Sequence, residues 1–159
     1  MKLKVEPMAV ALVWLVIFMF ALDAEDVGAD PYLEYGQLQN ETDATFAGIG
    51  YTYNDKWDAS VLFVGEGDRR DGGGKTPKMK VMSVSRLVYP TWTDKKFYMG
   101  IGLSKSELES QGALVGVYNF KIQFGWDFGR SKIFYQHHSS GDVNDVNVGV
   151  DMIGVQVKL

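Results

Sequence analysis

Residues with the chemistry of a hydrolase lie close together near the C-terminus of this 159-residue chain. His137 and Ser139 are two residues apart in a predicted strand, so their side chains point to the same face. If the following segment returns antiparallel about the centre of the loop, Asp151 lies opposite His137, with the two Cβ atoms roughly 4.5–5.5 Å apart. A nucleophile, a base and a carboxylate that orients the base form the set that a serine hydrolase uses.

Eight segments after residue 30 alternate apolar and polar residues and are separated by turn residues. A period of 3.6 residues, which would indicate helices, is not evident in any of them. The pattern predicts an all-β chain. The predicted strands span residues 31–39, 44–54, 57–66, 77–89, 95–105, 112–126, 131–139 and 148–158.

The alternation separates an apolar face from a face of small or polar residues. In the sixth segment, Phe120 and Ile122 share one face, whereas Lys121 and Gln123 share the other. The first segment shows this pattern weakly, and the fourth does not show which face is apolar. The pattern predicts an eight-stranded antiparallel up-and-down transmembrane β-barrel, with lipid outside and a filled polar interior. A soluble lipid-binding barrel also alternates and remains an alternative, although its apolar face would line a cavity.

The N-terminal segment and the composition indicate where such a barrel would act. Residues 1–24 have the features of a secretory signal peptide: Lys2 and Lys4 precede an uncharged apolar run over residues 8–22. That run is shorter than the ~20 residues of a membrane-spanning helix. Residues 25–159 would then form the barrel domain. The chain has no cysteine, which excludes disulfides and thiolate metal sites, and its net charge of −4 gives no reason to expect nucleic acid.

Aromatic residues cluster at alternate predicted turns, as in the interfacial girdle of an outer-membrane barrel. If both termini lie in the periplasm, these turns are the periplasmic turns of the barrel. The connections at 66–76 and 104–111 then lie outside the cell. His137 and Ser139 then lie near the outer leaflet, on the face that contacts lipid, where a polar group is useful if the substrate is itself a lipid. The aromatic clusters are Tyr51, Tyr53 and Trp57; Tyr89, Trp92 and Phe97; and Phe124, Trp126 and Phe128.

The segment over residues 134–157 resembles the outer-membrane lipid A 3-O-deacylases, whose members carry a His-x-Ser-Asn signature, a loop asparagine and an acid on the final strand. His137, Ser139, Asn147 and Asp151 match these positions. The resemblance implies that Ser139 is the nucleophile, that His137 is the general base and that Asp151 orients His137. It also implies hydrolysis of the ester-linked 3-position acyl chain of lipid A, with lipopolysaccharide as substrate, membrane lipids as surroundings and no metal or organic cofactor.

Two residues depart from the family pattern. Ser140 stands where the family has asparagine, and Asp151 stands where glutamate is typical. The loss of one oxyanion donor can cost about 100- to 1000-fold in rate, so the remaining donors matter. Asn147 and the backbone amides of Ser140 and Gly141 are the candidate oxyanion and substrate-binding groups. A non-catalytic structural or surface barrel is therefore a second alternative, and homodimer formation is left open.

Three other features have structural explanations. The glycine-rich stretch at 72–76 lacks the first glycine of a phosphate loop, because Arg69 occupies that place, and is predicted to be a flexible outer loop. The acids and amides at 142–147 do not fit the spacing of a calcium loop. His138 has the parity of the barrel interior and is expected to form hydrogen bonds there.

Overall fold

A computed structural model describes residues 28–40, 42–107, 118–139 and 149–159 of the chain. Eight antiparallel strands form a closed barrel, which confirms the predicted fold class. The barrel strands are β1 (Ala29–Gln39), β2 (Thr45–Tyr53), β3 (Trp57–Val64), β6 (Met79–Val88), β7 (Phe97–Ser106), β8 (Tyr118–Asp127), β9 (Ser131–Ser139) and β10 (Val150–Lys158).

Each barrel strand pairs with the next one along the chain, and β1 pairs with β10 to close the cylinder. Closure removes the free strand edges that an open sheet would expose. The predicted starts at residues 112 and 148 lie outside the described residues, and the predicted signal peptide at 1–24 lies outside them as well. No helix in the described part of the chain is long and apolar enough to cross a membrane.

The connection between β3 and β6 contains structure that the sequence did not predict. Two short strands, β4 (Gly67–Asp68) and β5 (Lys75–Thr76), pair as a hairpin, and Arg69 forms an isolated bridge with Thr42 in the β1–β2 connection. Gly72 has a φ of 75°, which glycine adopts without steric cost. The predicted outer loop therefore contains a short hairpin.

The barrel interior is filled by polar side chains, many of which form hydrogen bonds or ion pairs with one another. Lys121 is 1% exposed; its Nζ lies 3.4 Å from Asp58 Oδ2 and donates to Ser83 Oγ at 3.0 Å. The hydroxyl of Tyr32 donates to Asp58 Oδ1 at 2.6 Å. A buried cation and carboxylate are tolerated because each has a charged partner and further hydrogen bonds. The predicted polar interior is confirmed.

The outer wall is apolar, as the alternation predicted. In the fourth predicted segment, where the sequence left the facing open, Val81 is buried and Val84 faces outward. Exposure of so many large apolar side chains on one continuous wall is typical of a surface that meets an apolar phase. The outward-facing strand residues include Leu33, Tyr35, Ile49, Tyr51, Trp57, Phe63, Val84, Val88, Met99, Ile101, Leu103, Tyr118, Phe120, Ile122, Phe124, Trp126, Ile133, Ile153, Val155 and Val157.

The predicted aromatic clusters at the short turns contain one residue that faces inward. Tyr89 continues the interior parity of Leu87, and its ring centroid lies 5.6 Å from that of Tyr98. Its hydroxyl accepts a hydrogen bond from Lys132 Nζ at 2.8 Å. The assignment of Tyr89 to an exposed girdle was therefore wrong, whereas Trp92 is 82% exposed.

Replacing the buried Lys121 by methionine should strongly destabilise the barrel. The Lys121→Met variant leaves the Asp58 carboxylate without its cation, which should lower the free energy of unfolding by about 3–5 kcal/mol. Urea unfolding in detergent micelles, followed by tryptophan fluorescence, measures the change. The double variant Lys121→Met/Asp58→Asn should recover most of the loss, because a neutral amide still accepts from Tyr32. Equal stability of Lys121→Met and the wild type would contradict the buried pairing.

Candidate functional site

The candidate site lies where β9 ends and β10 begins, at the end of the barrel opposite the short turns. The register pairs His137 with Asp151, so the predicted cross-strand pairing is confirmed. Both side chains have the outward parity of Ile133 and Ile153, which are 53% and 48% exposed. The pair therefore lies on the outer wall of the cylinder and not in its lumen.

His137 and Asp151 are in direct contact. Nδ1 of His137 lies 2.7 Å from Oδ1 of Asp151, and the side chains are 36% and 16% exposed. A carboxylate accepts a hydrogen bond at this position, which assigns the ring proton to Nδ1 and leaves Nε2 as the lone-pair nitrogen of the neutral imidazole. The arrangement therefore has the orientation of a general base that is held by an acid.

Ser139 lies two residues beyond His137 on the same outward face. It ends β9, is partly exposed and pairs across the sheet with Phe120 of β8. The structure thus places the histidine, the serine and the aspartate on one patch of the outer wall. The lone-pair edge of the imidazole and the serine hydroxyl are the two groups that a nucleophilic mechanism requires on the same side.

Gly149 makes space for the imidazole and was not singled out from the sequence. A Cβ atom at Gly149 would lie 2.4 Å from Cε1 and 2.8 Å from Nε2 of His137. These distances are well below van der Waals contact, so any other residue would displace the ring. The signal in the sequence was a glycine two residues before Asp151, at a position whose side chain would face outward.

Asp151 has two further hydrogen-bond donors that sequence reasoning missed. The hydroxyl of Tyr135 donates to Oδ1 at 2.5 Å, and Nδ2 of Asn40 donates to Oδ2. Tyr135 precedes His137 by two residues and shares its face, which was a usable signal. Asn40 follows β1, the strand that pairs with β10 on the other side, and this proximity depends on barrel closure.

The predicted oxyanion groups lie outside the described residues. Ser140, Gly141 and Asn147 all fall in the segment over 140–148, so their role stays a prediction. His138 is where it was expected: it is fully buried, and its Nδ1 lies 2.7 Å from Ser104 Oγ. Within the described ranges, no group of three or more His, Cys, Asp or Glu residues has the geometry to hold a metal ion.

Apolar side chains surround the polar patch. Phe120 and Ile122 on β8 are 52% and 43% exposed and lie across from Ser139 and His137. Phe124 stacks on the ring of Tyr135, with a centroid distance of 5.8 Å and an interplanar angle of 10°. A bound reactant with long alkyl chains would therefore meet apolar surface directly beside the polar groups.

The fold and the wall site define a class: closed eight-stranded barrels with an apolar exterior and an imidazole–carboxylate pair on that exterior. No family model matches the sequence, and no curated protein matches it either. Among solved structures, the barrel is similar to the crystal structure of the outer membrane enzyme PagL, with a TM-score of 0.56 and 13% identity. The similarity covers 82% of this chain and 98% of that chain. At this identity, the likeness shows the shared barrel fold.

Substitution of Gly149 by alanine should displace the imidazole of His137. The added methyl group overlaps the ring, so the hydrogen bond from Nδ1 to Asp151 should break or lengthen. The strongly downfield proton resonance of a carboxylate-bound Nδ1–H, recorded by NMR in detergent micelles, should disappear or move. Gly65→Ala is the matched control, because a Cβ there approaches no atom closer than 3.4 Å. An unchanged resonance in Gly149→Ala would contradict the described geometry.

Proposed function

We propose that this protein is an outer-membrane lipid A 3-O-deacylase, a serine esterase that removes the ester-linked 3-position acyl chain of lipid A. The observation that carries the proposal is the contact between His137 and Asp151 on the apolar outer wall, with Ser139 on the same face. Polar and ionisable groups on a lipid-facing wall are costly, which makes a functional role the default explanation for them.

In the proposed reaction, His137 Nε2 takes the proton of the Ser139 hydroxyl as its oxygen attacks the ester carbonyl carbon. Asp151 holds the imidazole in the correct tautomer and stabilises its protonated form. The tetrahedral intermediate collapses as the bond between the carbonyl carbon and the sugar oxygen breaks; that oxygen takes the proton from His137 and leaves as a hydroxyl, and the acyl-enzyme remains. A water molecule, deprotonated by His137, then hydrolyses the acyl-enzyme and releases the fatty acid. No metal or cofactor is needed for these steps.

Stabilisation of the developing oxyanion is assigned to groups in the segment over residues 140–148, between β9 and β10 in the sequence. The proposal gives this role to the side chain of Asn147 and to the backbone amides of Ser140 and Gly141. Preorganised amide donors at this point usually make the largest single contribution to acyl transfer. Ser140 has no amide side chain, so its contribution in this scheme comes from the backbone.

The proposed location is the bacterial outer membrane, with the active site at the outer leaflet. The apolar wall supports it, and so does the polar packed lumen around Lys121 and Asp58. A soluble lipid-binding barrel needs an apolar cavity, and the buried charge pair occupies the place of that cavity. In this proposal residues 1–24 direct export, and lipopolysaccharide reaches the site within the membrane.

The enzyme proposal predicts that Ser139→Ala abolishes a specific change in lipid A. Expression of the wild type in a Gram-negative host should yield lipid A that lacks one 3-hydroxyacyl group, detected by mass spectrometry. Ser139→Ala should lower the rate about a million-fold and Asp151→Asn about 10⁴-fold. Ser131→Ala is the matched control, because Ser131 is on the same strand and face at the far end of β9.

Two results would contradict the enzyme proposal. One is an unchanged lipid A profile with a folded wild-type barrel, across hosts whose lipid A carries different acyl lengths; it would favour a non-catalytic surface barrel. The other is unaltered deacylation by Ser139→Ala. Labelling of Ser139 by a fluorophosphonate probe gives a readout of nucleophile activation that does not depend on acyl length.

The location predicts that a charge on the middle of the outer wall destabilises the barrel in a bilayer. Ile101 is 71% exposed, so Ile101→Lys disturbs no packed core. In lipid vesicles the substitution should cost about 2–4 kcal/mol of unfolding free energy, because the ammonium group must enter hydrocarbon. Phe128→Lys at a turn is the control and should cost little. Equal stability of Ile101→Lys and the wild type in vesicles would argue for a barrel that faces water.

A further inference from the structure

We propose that Tyr135 and Asn40 are positioning residues that fix the Asp151 carboxylate for its contact with His137. This inference rests on the proposed function, which assigns the orienting role to Asp151. The carboxylate receives three donors: His137 Nδ1 and the Tyr135 hydroxyl on Oδ1, and Asn40 Nδ2 on Oδ2. His137 and Tyr135 belong to β9, and Asn40 directly follows β1. Because β10 lies between β9 and β1, Asp151 is held from both sides.

Tyr135 reaches the carboxylate diagonally across the β9–β10 pair. Its backbone pairs with Ile153, yet its hydroxyl lies 2.5 Å from Oδ1 of Asp151. The ring is fixed by stacking on Phe124, its cross-strand partner on β8, with the planes within 10° of parallel. Because stacking restricts the ring, the Tyr135 hydroxyl is already positioned beside Asp151, and little side-chain freedom is lost when the hydrogen bond forms.

Asn40 lies at the start of the β1–β2 connection, which forms hydrogen bonds with the β4–β5 hairpin. It has a φ of 68°, a left-handed conformation that asparagine tolerates better than most residues, and it directly follows β1. Farther along the same connection, the amide of Asp43 donates to the carbonyl of Asp68 at 3.2 Å, and the amide of Asp68 donates to Asp43 Oδ1 at 2.7 Å. The β4–β5 hairpin thus braces the connection that carries Asn40.

The chemistry explains why a short acid would need this support. Aspartate has one methylene less than the glutamate typical of the lipid A 3-O-deacylases that the sequence resembles. Its carboxylate therefore reaches the imidazole only from a narrow range of side-chain angles. Donors on both oxygens restrict that range and keep a lone pair aimed at Nδ1 of His137. Hydrogen bonds to a charged acceptor are strong enough that losing one should reduce the rate about 10- to 100-fold.

The kinetic test measures how the loss of each donor changes kcat, both with the Asp151 carboxylate present and with it removed. Tyr135→Phe and Asn40→Gly should each lower kcat for lipid A deacylation about 10- to 100-fold, with KM little changed, since neither residue is assigned a substrate contact. In an Asp151→Asn background, the same substitutions should have little further effect, because the carboxylate through which they act is absent. Glycine is chosen at position 40 because it keeps the left-handed backbone without strain.

The chain supplies matched controls for both substitutions. Tyr35→Phe removes a tyrosine hydroxyl from the same outer wall, at a residue that is 59% exposed. Asn54→Gly replaces another left-handed asparagine, with a φ of 50°, in the turn between β2 and β3 at the other end of the barrel. Both controls should retain wild-type kcat. Heat-modified migration on gels verifies that every variant is a folded barrel.

A spectroscopic measurement separates this inference from the proposed function. The chain has two histidines, so the Nδ1–H proton of His137 can be assigned by its loss in His137→Gln. That resonance should shift in Tyr135→Phe and in Asn40→Gly, vanish in Asp151→Asn and stay unchanged in the two controls. If the wild type is inactive but its resonance responds in this way, the esterase proposal is rejected and the positioning of Asp151 by Tyr135 and Asn40 is supported. Unchanged kcat and unchanged resonance in both variants overturn the positioning role.

Discussion

The two-residue alternation of paired antiparallel strands is the constraint on which both the barrel and its candidate site depend. A shift of β9 by one residue relative to β10 would turn His137 into the lumen and bring His138 out beside Asp151. The packed interior prevents that shift, because His138, Gln136 and Lys132 are all buried there. The polar core therefore maintains the register that holds the outer residues together, although its side chains lie on the opposite face of the sheet from the site.

Much of the fold followed from patterning, because alternation, turn residues and closure are local or geometric properties. The pairing of His137 with Asp151 followed from the spacing about one loop. The fourth strand was the exception: Val81 and Val84 are both apolar, so composition could not distinguish the inner from the outer position. The facing of Tyr89 was predicted wrongly for a related reason. An aromatic residue beside a turn can lie in an outer girdle or, as Tyr89 does, pack inside the barrel next to Lys132.

The parts of the site that the sequence did not predict come from distant chain segments. Asn40 and Asp151 are 111 residues apart and meet only because β1 closes onto β10. The contact between Asp43 and Asp68 likewise joins the β1–β2 connection to the β3–β6 connection. The alternation within the strands does not predict this contact. Tyr135 was within reach of sequence reasoning, because it shares the face of His137. It was overlooked because an outward tyrosine in a barrel strand already has an explanation as apolar surface.

The outward position of the His137–Asp151 pair sets the route by which any reactant arrives. A group on the wall of a closed cylinder is approached sideways, along the surface, and not down an axial channel. In the proposed membrane location, encounters are governed by lateral diffusion in two dimensions and by the number of molecules per unit of surface area. In that location the site would respond to the molecules immediately around it in the leaflet, and the bulk concentration on either side would have little direct influence on it.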